Sequence, residues 1–154
     1  MTNVAVHERY MRQALALADQ AAQMGEVPVG AVVVHKDEVI AVGHNLRESN
    51  QDPSAHAEFL AIQRAAQALG SWRLEDCTVY VTLEPCPMCA GLMVNARIAA
   101  CVYGCTDPKG GFLGTLADLS QHPKLNHRFD VTAGVLEQDS SERLKRFFRA
   151  LRRR

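Results

Sequence analysis

Four residues of this sequence have the types and the spacing needed for a zinc site that can do chemistry. His56 and Glu58 stand two positions apart, and Cys86 and Cys89 form a C-x-x-C pair inside the run P-C-P-M-C. A catalytic zinc takes three protein ligands and keeps a fourth position for water, whereas a structural zinc usually has four protein ligands. We therefore expect His56, Cys86 and Cys89 to bind zinc and Glu58 to remain as a proton carrier.

Two other interpretations of these residues need features that the sequence lacks. A structural zinc site needs a fourth ligand, but there is no second C-x-x-C and no H-x-x-x-H. A redox pair of cysteines would not need a His-Ala-Glu segment upstream. The combination of H-x-E with P-C-x-x-C is instead the pattern of zinc-dependent nucleobase deaminases. In that chemistry zinc lowers the pKa of its water from about 15.7 to about 7, and the glutamate moves protons.

The four residues fall at the starts of two predicted helices. Asp52-Pro53-Ser54 combines capping residues with a proline suited to a first turn, and it predicts a helix over about 54–69 that ends at Gly70. Pro87 opens a second, shorter helix that runs to about Asn95. Helix N-termini carry partial positive charge, which stabilises thiolates. The sequence therefore predicts two helix N-termini that face one metal ion.

Hydrophobic periodicity predicts the remaining elements. A first helix is expected over residues 8–24, a short one near 116–120, and a basic amphipathic one over about 140–152. Five β-rich segments are predicted strands, the first two joined as a hairpin: residues 27–34, 38–43, 77–83, 98–103 and 129–136. The hairpin must be antiparallel, while strand–helix–strand steps favour parallel pairing. We expect one α/β domain over residues 1–154, because no repeat or linker divides it.

The composition is that of a globular domain. Of the 154 residues, 47% are hydrophobic, and no apolar run approaches the roughly 20 residues that cross a bilayer. Residues 1–8 lack a basic segment followed by a hydrophobic one, so we expect no secretory signal and a cytoplasmic location. Cys77, Cys101 and Cys105 fall in or beside apolar runs and are predicted to be small core residues.

Charge is distributed unevenly along a chain whose formal net charge is zero. Residues 143–154 contain seven basic residues and no acidic one. Such a tail favours a local contact with a polyanion over a globally cationic surface. Phe147 and Phe148 lie within it, and aromatic and arginine side chains are what single-stranded RNA loops stack on. The alternative is a solvated helix end whose phenylalanines pack in the core.

Beyond the zinc motif, the sequence resembles the bacterial tRNA-specific adenosine deaminases over nearly its whole length. The zinc motif alone is shared with cytidine, cytosine, guanine and riboflavin-pathway deaminases, so the flanking motifs and the tail carry this resemblance. The matching motifs occur in order: E-V-P-V-G-A at 26–31, G-H-N at 43–45, H-A-E at 56–58, T-L-E-P-C-P-M-C-A-G at 82–91, Y-G at 103–104, D-P-K-G-G at 107–111, N-H-R at 126–128 and F-F-R at 147–149.

The resemblance implies a cytidine-deaminase-like three-layer α/β/α fold with a five-stranded mixed sheet. It also implies a homodimer with one zinc ion per subunit, which converts adenosine to inosine at the wobble position of an arginine tRNA anticodon. Asn45 would hydrogen-bond the flipped base, and the backbone around Ala57 would help to read it. RNA contacts are implied for five further residues: Asp107, Lys109, Asn126, Phe148 and Arg149.

Two competing functions remain open at this point. A small-molecule deaminase acting on guanine or cytosine predicts a lid that closes over a free base, with little need for a basic terminal helix. A non-catalytic RNA-binding zinc domain predicts RNA association that does not depend on Glu58. Asn45 and Asp107 are also common turn residues, so each has a purely structural alternative.

Overall fold

The structure, a computed structural model, describes residues 3–153 of the chain. Met1, Thr2 and Arg154, the last of which belongs to the basic tail, lie outside the described residues. The helices are α1 (Asn3–Gln23), α2 (Arg47–Asn50), α3 (Ala57–Leu69), α4 (Pro87–Ala96) and α5 (Glu137–Arg152). The strands are β1 (Gly30–His35), β2 (Glu38–His44), β3 (Cys77–Leu83), β4 (Ala100–Cys105) and β5 (Asp130–Thr132).

The five strands form one mixed sheet in the order β2-β1-β3-β4-β5. β1 is antiparallel to both of its neighbours, while β3, β4 and β5 are parallel to one another. Because β1 runs against both β2 and β3, β2 runs in the same direction as β3 and β4. The carboxyl ends of these three strands therefore lie at the same end of the sheet, and open α/β sheets bind their ligands at the carboxyl ends of their strands.

Side chains alternate between the two faces of the sheet and meet a different helix layer on each. Val32 and Tyr80 point to one face and pack with Tyr10 and Met11 of α1. On the opposite face, strand residues such as Val33 and Val81 pack against Ala61 and Ile62 of α3 and Met93 of α4. The three-layer α/β/α arrangement and the five-stranded mixed sheet predicted from the sequence are confirmed. The predicted core cysteines Cys77, Cys101 and Cys105 are all buried.

The predicted start of the helix that carries Glu58 is wrong by three residues. The Asp52 carboxylate accepts hydrogen bonds from the Ser54 amide and hydroxyl, at 2.9 and 2.8 Å, and so forms a local turn instead of a helix cap. α3 begins only at Ala57, with His56 at the N-cap position. The polar loop expected before it contains the short helix α2, which the sequence pattern did not predict. His56 therefore lies at the helix end and Glu58 within the first turn.

Other boundaries differ from the predictions by a few residues. α1 begins at Asn3 instead of residue 8, and β5 keeps only three of its eight expected residues. The short helix expected near 116–120 is a 3₁₀ turn at Leu119–Gln121, and α5 starts three residues before the predicted 140. The predicted hairpin is confirmed, with Lys36 and Asp37 at positive φ as a tight two-residue turn requires. Among the described residues no helix has the length and apolar character of a membrane span.

Candidate active site

The three predicted zinc ligands meet at the N-termini of α3 and α4. His56 is the N-cap of α3, Cys86 is the N-cap of α4, and Cys89 lies in the first turn of α4. In the described chain neither N-cap side chain hydrogen-bonds its own helix, so both are free to face each other. The Nδ1 atom of His56 lies 3.6 Å from the Sγ atom of Cys86 and 3.6 Å from that of Cys89. All three donor atoms lie within 4.8 Å of one another.

These distances fit tetrahedral zinc. With Zn–S bonds of about 2.3 Å and Zn–N bonds of about 2.0–2.1 Å, a sulfur and a nitrogen ligand of one tetrahedron lie about 3.6 Å apart. Three ligands of this kind leave one coordination position for water, as in catalytic sites. The donor set of two thiols and an imidazole also suits zinc better than magnesium or calcium, which prefer oxygen. His56, Cys86 and Cys89 can therefore hold a catalytic zinc ion.

Contacts among His56, Cys86 and Cys89 shift the pKa values of all three side chains. A hydrogen bond from the Cys89 thiol lowers the pKa of Cys86 to about 4, helped by His56 and against the opposing effect of burial. The same hydrogen bond raises the pKa of Cys89 above its ordinary value, and burial raises it further. The contact with Cys86 raises the pKa of His56. Since zinc binds thiolates and neutral imidazole, metal binding must displace these protons, so zinc affinity should rise with pH.

Glu58 is placed for proton transfer beside the metal ligands. Its side chain is 4% exposed and lies in the same cavity wall as His56 and Cys86. Burial raises the pKa of Glu58 to about 7, although its own backbone amide and the nearby His56 favour the charged form. A carboxyl group with a pKa close to the working pH can both take and give a proton, as general acid–base catalysis requires.

A cavity of about 1200 Å³ opens above this site. Its walls come from the segments that follow β2, β3 and β4 and from one face of α5. This volume is larger than the 300–1000 Å³ of typical small-molecule pockets. Five cationic side chains line the cavity: Arg47, Lys109, Lys145, Arg149 and Arg152. Four carboxylates also line it: Glu58, Glu84, Asp107 and Glu137. The site is therefore an open cavity lined by charges of both signs, with His56, Glu58 and Cys86 in its wall and with Cys89 buried next to them.

Most of the residues predicted to contact substrate line this cavity. Asn45 and Ala57 belong to the same lining as His56 and Cys86, and Asp107 and Lys109 lie on the loop after β4. The cavity-facing side of α5 contributes two further residues, Phe148 and Arg149. Phe148 is 39% exposed and meets Phe147 edge-on. The structure thus brings together residues that are more than a hundred positions apart in sequence.

Two of these residues also have the structural roles that were left open. The Asn45 side chain accepts a hydrogen bond from the Arg47 amide at 3.0 Å and donates one to the Val27 carbonyl at 3.3 Å. The Asp107 carboxylate accepts hydrogen bonds from the amides of Lys109 and Gly110, at 3.0 and 3.1 Å. Each residue therefore shapes its loop while it lines the cavity, and the two interpretations are compatible.

Asn126 is the predicted contact residue that does not line the cavity. It is exposed, in the segment between the 3₁₀ turn and β5. The neighbouring His127 instead contacts the Ile98 carbonyl through Nε2 at 2.7 Å. A contact between Asn126 and a large substrate outside the cavity stays a prediction.

Sequence reasoning missed three residues that shape the site. Arg47 and Glu84 line the cavity, and Glu26 and Glu84 are buried carboxylates, 1% and 2% exposed. Both glutamates accept hydrogen bonds mainly from backbone amides, which carry no sequence signal. The one available clue is that each sits in a run of small and apolar residues, where a charge needs a partner.

Comparison with known proteins agrees with this site. The family model described as MafB19-like deaminase matches residues 5–152. A tRNA-specific adenosine deaminase of Bacillus subtilis is 52% identical over 147 residues, which cover 96% of this chain and 91% of that protein. The protein of the same description from Haemophilus influenzae is 44% identical, over 94% of this chain and 84% of that protein.

A solved structure shares the fold closely. It comes from biochemical and structural studies of A-to-I editing by tRNA:A34 deaminases at the wobble position of transfer RNA. It is 42% identical to this chain, with a TM-score of 0.85, and covers 88% of this chain and 99% of the other. The chain therefore belongs to the MafB19-like deaminases and, among them, to the family of tRNA-specific adenosine deaminases.

Proposed function

We propose that this protein converts adenosine to inosine at the wobble position of a tRNA anticodon by hydrolytic deamination with one zinc ion per subunit. The observation that carries the proposal is the position of Glu58. Together with His56 and Cys86 it lines an open cavity that five cationic side chains also line, and Cys89 is buried next to these residues. Family membership supports the same activity.

Glu58 does the proton transfers of the proposed reaction. His56, Cys86 and Cys89 would hold a zinc ion, which when bound would lower the pKa of the attacking water. The Glu58 carboxylate takes a proton from the water that adds to C6 of adenosine and delivers it to the ring nitrogen N1. It then transfers the second proton of that water to the departing amino group, which leaves as ammonia. The products are inosine and ammonia, and Glu58 ends in its starting state.

The walls of the cavity suit an RNA loop. An anticodon nucleotide must leave its stack to reach a buried carboxylate, and single-stranded loops allow this at low cost. Arg47 lines the cavity, and so do Lys145, Arg149 and Arg152 of α5. These cations come from two separate segments of the chain and can bind phosphates next to the flipped nucleotide. We propose that Asn45 and Ala57 contact the base, and that Asp107, Lys109, Phe148 and Arg149 contact its neighbours.

The alternative of a small-molecule deaminase has less support. A free guanine or cytosine carries no phosphate, so five cationic side chains around the cavity would have no partner in the substrate. A free base would also occupy a small part of a cavity of about 1200 Å³. A non-catalytic zinc module has no use for a buried Glu58 with a pKa of about 7. We therefore rank both below RNA editing.

Three finer points belong to the proposal. We propose an arginine tRNA as substrate and a homodimer as the working form, both from the resemblance to the family. Among the described residues, Trp72 and Met88 are large apolar side chains left 58% and 36% exposed, which is compatible with burial against a second copy. Mass measurement in solution decides between one chain and two. The expected cytoplasmic location stays a prediction.

The decisive experiment uses an arginine tRNA transcript with adenosine at the wobble position. Inosine is read at each position after incubation with the zinc-loaded protein, with Glu58→Ala as the matched control. Free adenosine, guanine and cytosine are assayed for ammonia in parallel. We expect inosine at the wobble position alone and none with Glu58→Ala. Ammonia from a free base with unedited RNA would contradict the tRNA assignment while leaving the zinc chemistry in place.

A further inference from the structure

We propose that Glu26 and Glu84 are positioning residues that hold two of the loops lining the cavity in the shape that binds RNA. The inference rests on the proposed function, because it assigns these carboxylates to the affinity for the anticodon loop. Neither residue needs to touch the RNA. Each acts through hydrogen bonds to the backbone of a loop that contacts the RNA.

Glu84 is the centre around which the loop after β4 folds. Its Oε1 atom accepts hydrogen bonds from the Asp107 amide at 3.0 Å and from the Thr115 hydroxyl. Its Oε2 atom accepts hydrogen bonds from the amides of Leu113 and Thr115, both at 3.1 Å. One buried carboxylate thus fastens both ends of the segment 107–115. The fit is so close that an added Cβ at Gly111 would overlap this carboxylate.

The segment fastened by Glu84 carries cavity-lining residues. Asp107, Pro108 and Lys109 all line the cavity. The Asp107 amide bonds to Glu84, and the Asp107 carboxylate in turn accepts the Lys109 amide at 3.0 Å. The position of Lys109 therefore depends on Glu84 through two successive hydrogen bonds.

Glu26 does the same for the loop after β2. The N-cap of α2 is Leu46, whose side chain cannot accept the amides of the first helical turn. The Glu26 carboxylate, which belongs to another segment, supplies the missing acceptors. Its oxygens accept hydrogen bonds from the amides of Glu48, at 3.1 Å, and Ser49. It thereby fixes the turn that begins with Arg47, whose own amide bonds to Asn45. Arg47 and Asn45 both line the cavity.

A carboxylate is the side chain that this task requires. It presents two acceptor oxygens and no donor, so it can satisfy several convergent N–H groups. A glutamine of nearly the same shape keeps one oxygen and turns an NH₂ group toward the amides. One or more buried donors then lose their partner, and the loop must move to find another. Glu26→Gln and Glu84→Gln are therefore the informative substitutions.

The effect should fall on binding and not on chemistry. Among the described residues, the hydrogen bonds of both carboxylates go to loop atoms and not to His56, Cys86, Cys89 or Glu58. An interaction that holds substrate equally in the ground state and the transition state changes KM and leaves kcat unchanged. Zinc content should likewise be unchanged, and it must be measured because Glu84 precedes Cys86 by only two positions.

The test compares zinc-loaded Glu26→Gln and Glu84→Gln with the parent protein and with Glu75→Gln. Glu75 is an exposed glutamate paired with Arg73, and it serves as the matched control. We expect KM for the tRNA to rise on the order of tenfold in each buried variant, while kcat stays within about twofold. Amide hydrogen exchange without RNA should accelerate at residues 107–115 in Glu84→Gln and at residues 48–49 in Glu26→Gln.

A second variant keeps the inference testable if Glu84→Gln does not fold. Gly111→Ala retains the carboxylate and pushes it from its partners, so it should raise KM and accelerate exchange at residues 107–115 as well. Unchanged KM and unchanged exchange in folded variants would overturn the inference, and so would loss of zinc or a fall in kcat alone. If the parent protein itself leaves the tRNA unedited, the proposed function fails; if it edits and the variants match it, only this inference fails.

Discussion

Arg143 donates to both carboxylate oxygens of Asp19, at 2.8 Å from Nε and 3.3 Å from Nη2, and so links α5 to α1 across 124 positions of sequence. The pair is partly exposed, and such a pair contributes at most about 1 kcal/mol. The pair helps to orient the helix, together with the buried Ser140 and with Leu144, which packs against the core. With Arg143 fixed on α1, Phe148 and Arg149 line the cavity.

This orientation predicts that α5 binds phosphates of the RNA. Replacement of Arg149 and Arg152 by glutamine should weaken tRNA binding, most of all at low salt. For a single strand, each phosphate that a protein cation neutralises adds about 0.7 to the steepness of log K against log [salt]. We therefore expect the slope to become shallower by about 1.4 in the double variant, measured by binding titrations from low to physiological salt. Arg12→Gln, on the exposed side of α1, is the control. An unchanged slope would mean that α5 packs without binding RNA.

Glu58 should be required for turnover and not for the metal. Glu58→Gln keeps the size of the side chain but cannot carry a proton, so kcat should fall by at least about 10²-fold, the lower range for general acid–base catalysis. Zinc measured by elemental analysis should stay at one per chain. Loss of zinc in this variant would show that Glu58 is a ligand and would overturn its assignment as proton carrier.

We expect the cysteines to separate into zinc ligands and core residues. Cys86→Ala should lose both zinc and activity, because it removes one of three ligands. Cys77→Ala is the matched control, since Cys77 is buried in the core and lies outside the group of metal-binding residues. The control should keep its zinc. Equal zinc content in the two variants would exclude Cys86 from the metal site.

Patterns that are local in sequence predicted the catalytic part of this site. His56 and Glu58 belong to one helix start and Cys86 and Cys89 to another, so the residue types and short spacings were enough to predict that these side chains meet. The fold class followed from hydrophobic periodicity in the same way. Although the predicted helix start at Ser54 was wrong, the prediction still placed His56 at the N-terminal end of α3.

The walls of the site could not be predicted in this way. Glu26 meets amides 22 and 23 positions away, and Glu84 meets amides up to 31 positions away. A backbone amide is the same at every residue other than proline, so nothing in the sequence marks which loop a buried carboxylate will hold. Arg47 was missed for a related reason, because the backbone hydrogen bonds of its segment to Asn45 and Glu26 leave no pattern in the sequence. Long-range polar contacts of this kind become visible only in the fold.

The Glu26 carboxylate should make the free energy of unfolding depend on pH at acidic pH. Burial alone would raise the pKa of Glu26, but the hydrogen bonds from Ser49 and Glu48 and the charge of Arg47 hold it below the ordinary value of 4.5. A lowered pKa in the folded state stabilises the protein fully above the unfolded pKa, and this contribution is lost as pH falls through the folded pKa.

The parent protein should therefore be more stable than Glu26→Gln at pH 7, by about 1–3 kcal/mol for a buried donor left without its partner. The difference should shrink as pH falls below 4.5. Urea unfolding of the two proteins across this range measures the difference directly. Any loss of zinc at low pH affects both proteins and therefore cancels in the difference. A difference that stays constant down to pH 3 or below would contradict the assignment.

Gly43 should be essential for the position of the α3 N-terminus. An added Cβ at Gly43 would overlap the Ala57 carbonyl oxygen and come within 3.0 Å of the Ala61 amide nitrogen, both in the first turns of α3. Gly43→Ala must therefore push α3 from β2 and move His56 away from the cysteines. We expect a loss of about 1–3 kcal/mol in unfolding free energy from overpacking, together with weaker zinc binding.

Gly91→Ala provides the matched control for this prediction. Gly91 lies within α4, and an added Cβ there would meet no described atom within 4 Å. Alanine is favoured over glycine in a helix by about 0.8–1.0 kcal/mol, so Gly91→Ala should hold or raise stability and keep zinc. Chelator competition and urea unfolding of both variants measure the two effects together. If Gly43→Ala bound zinc as tightly as Gly91→Ala, the close approach of α3 to β2 would not be what sets the metal site.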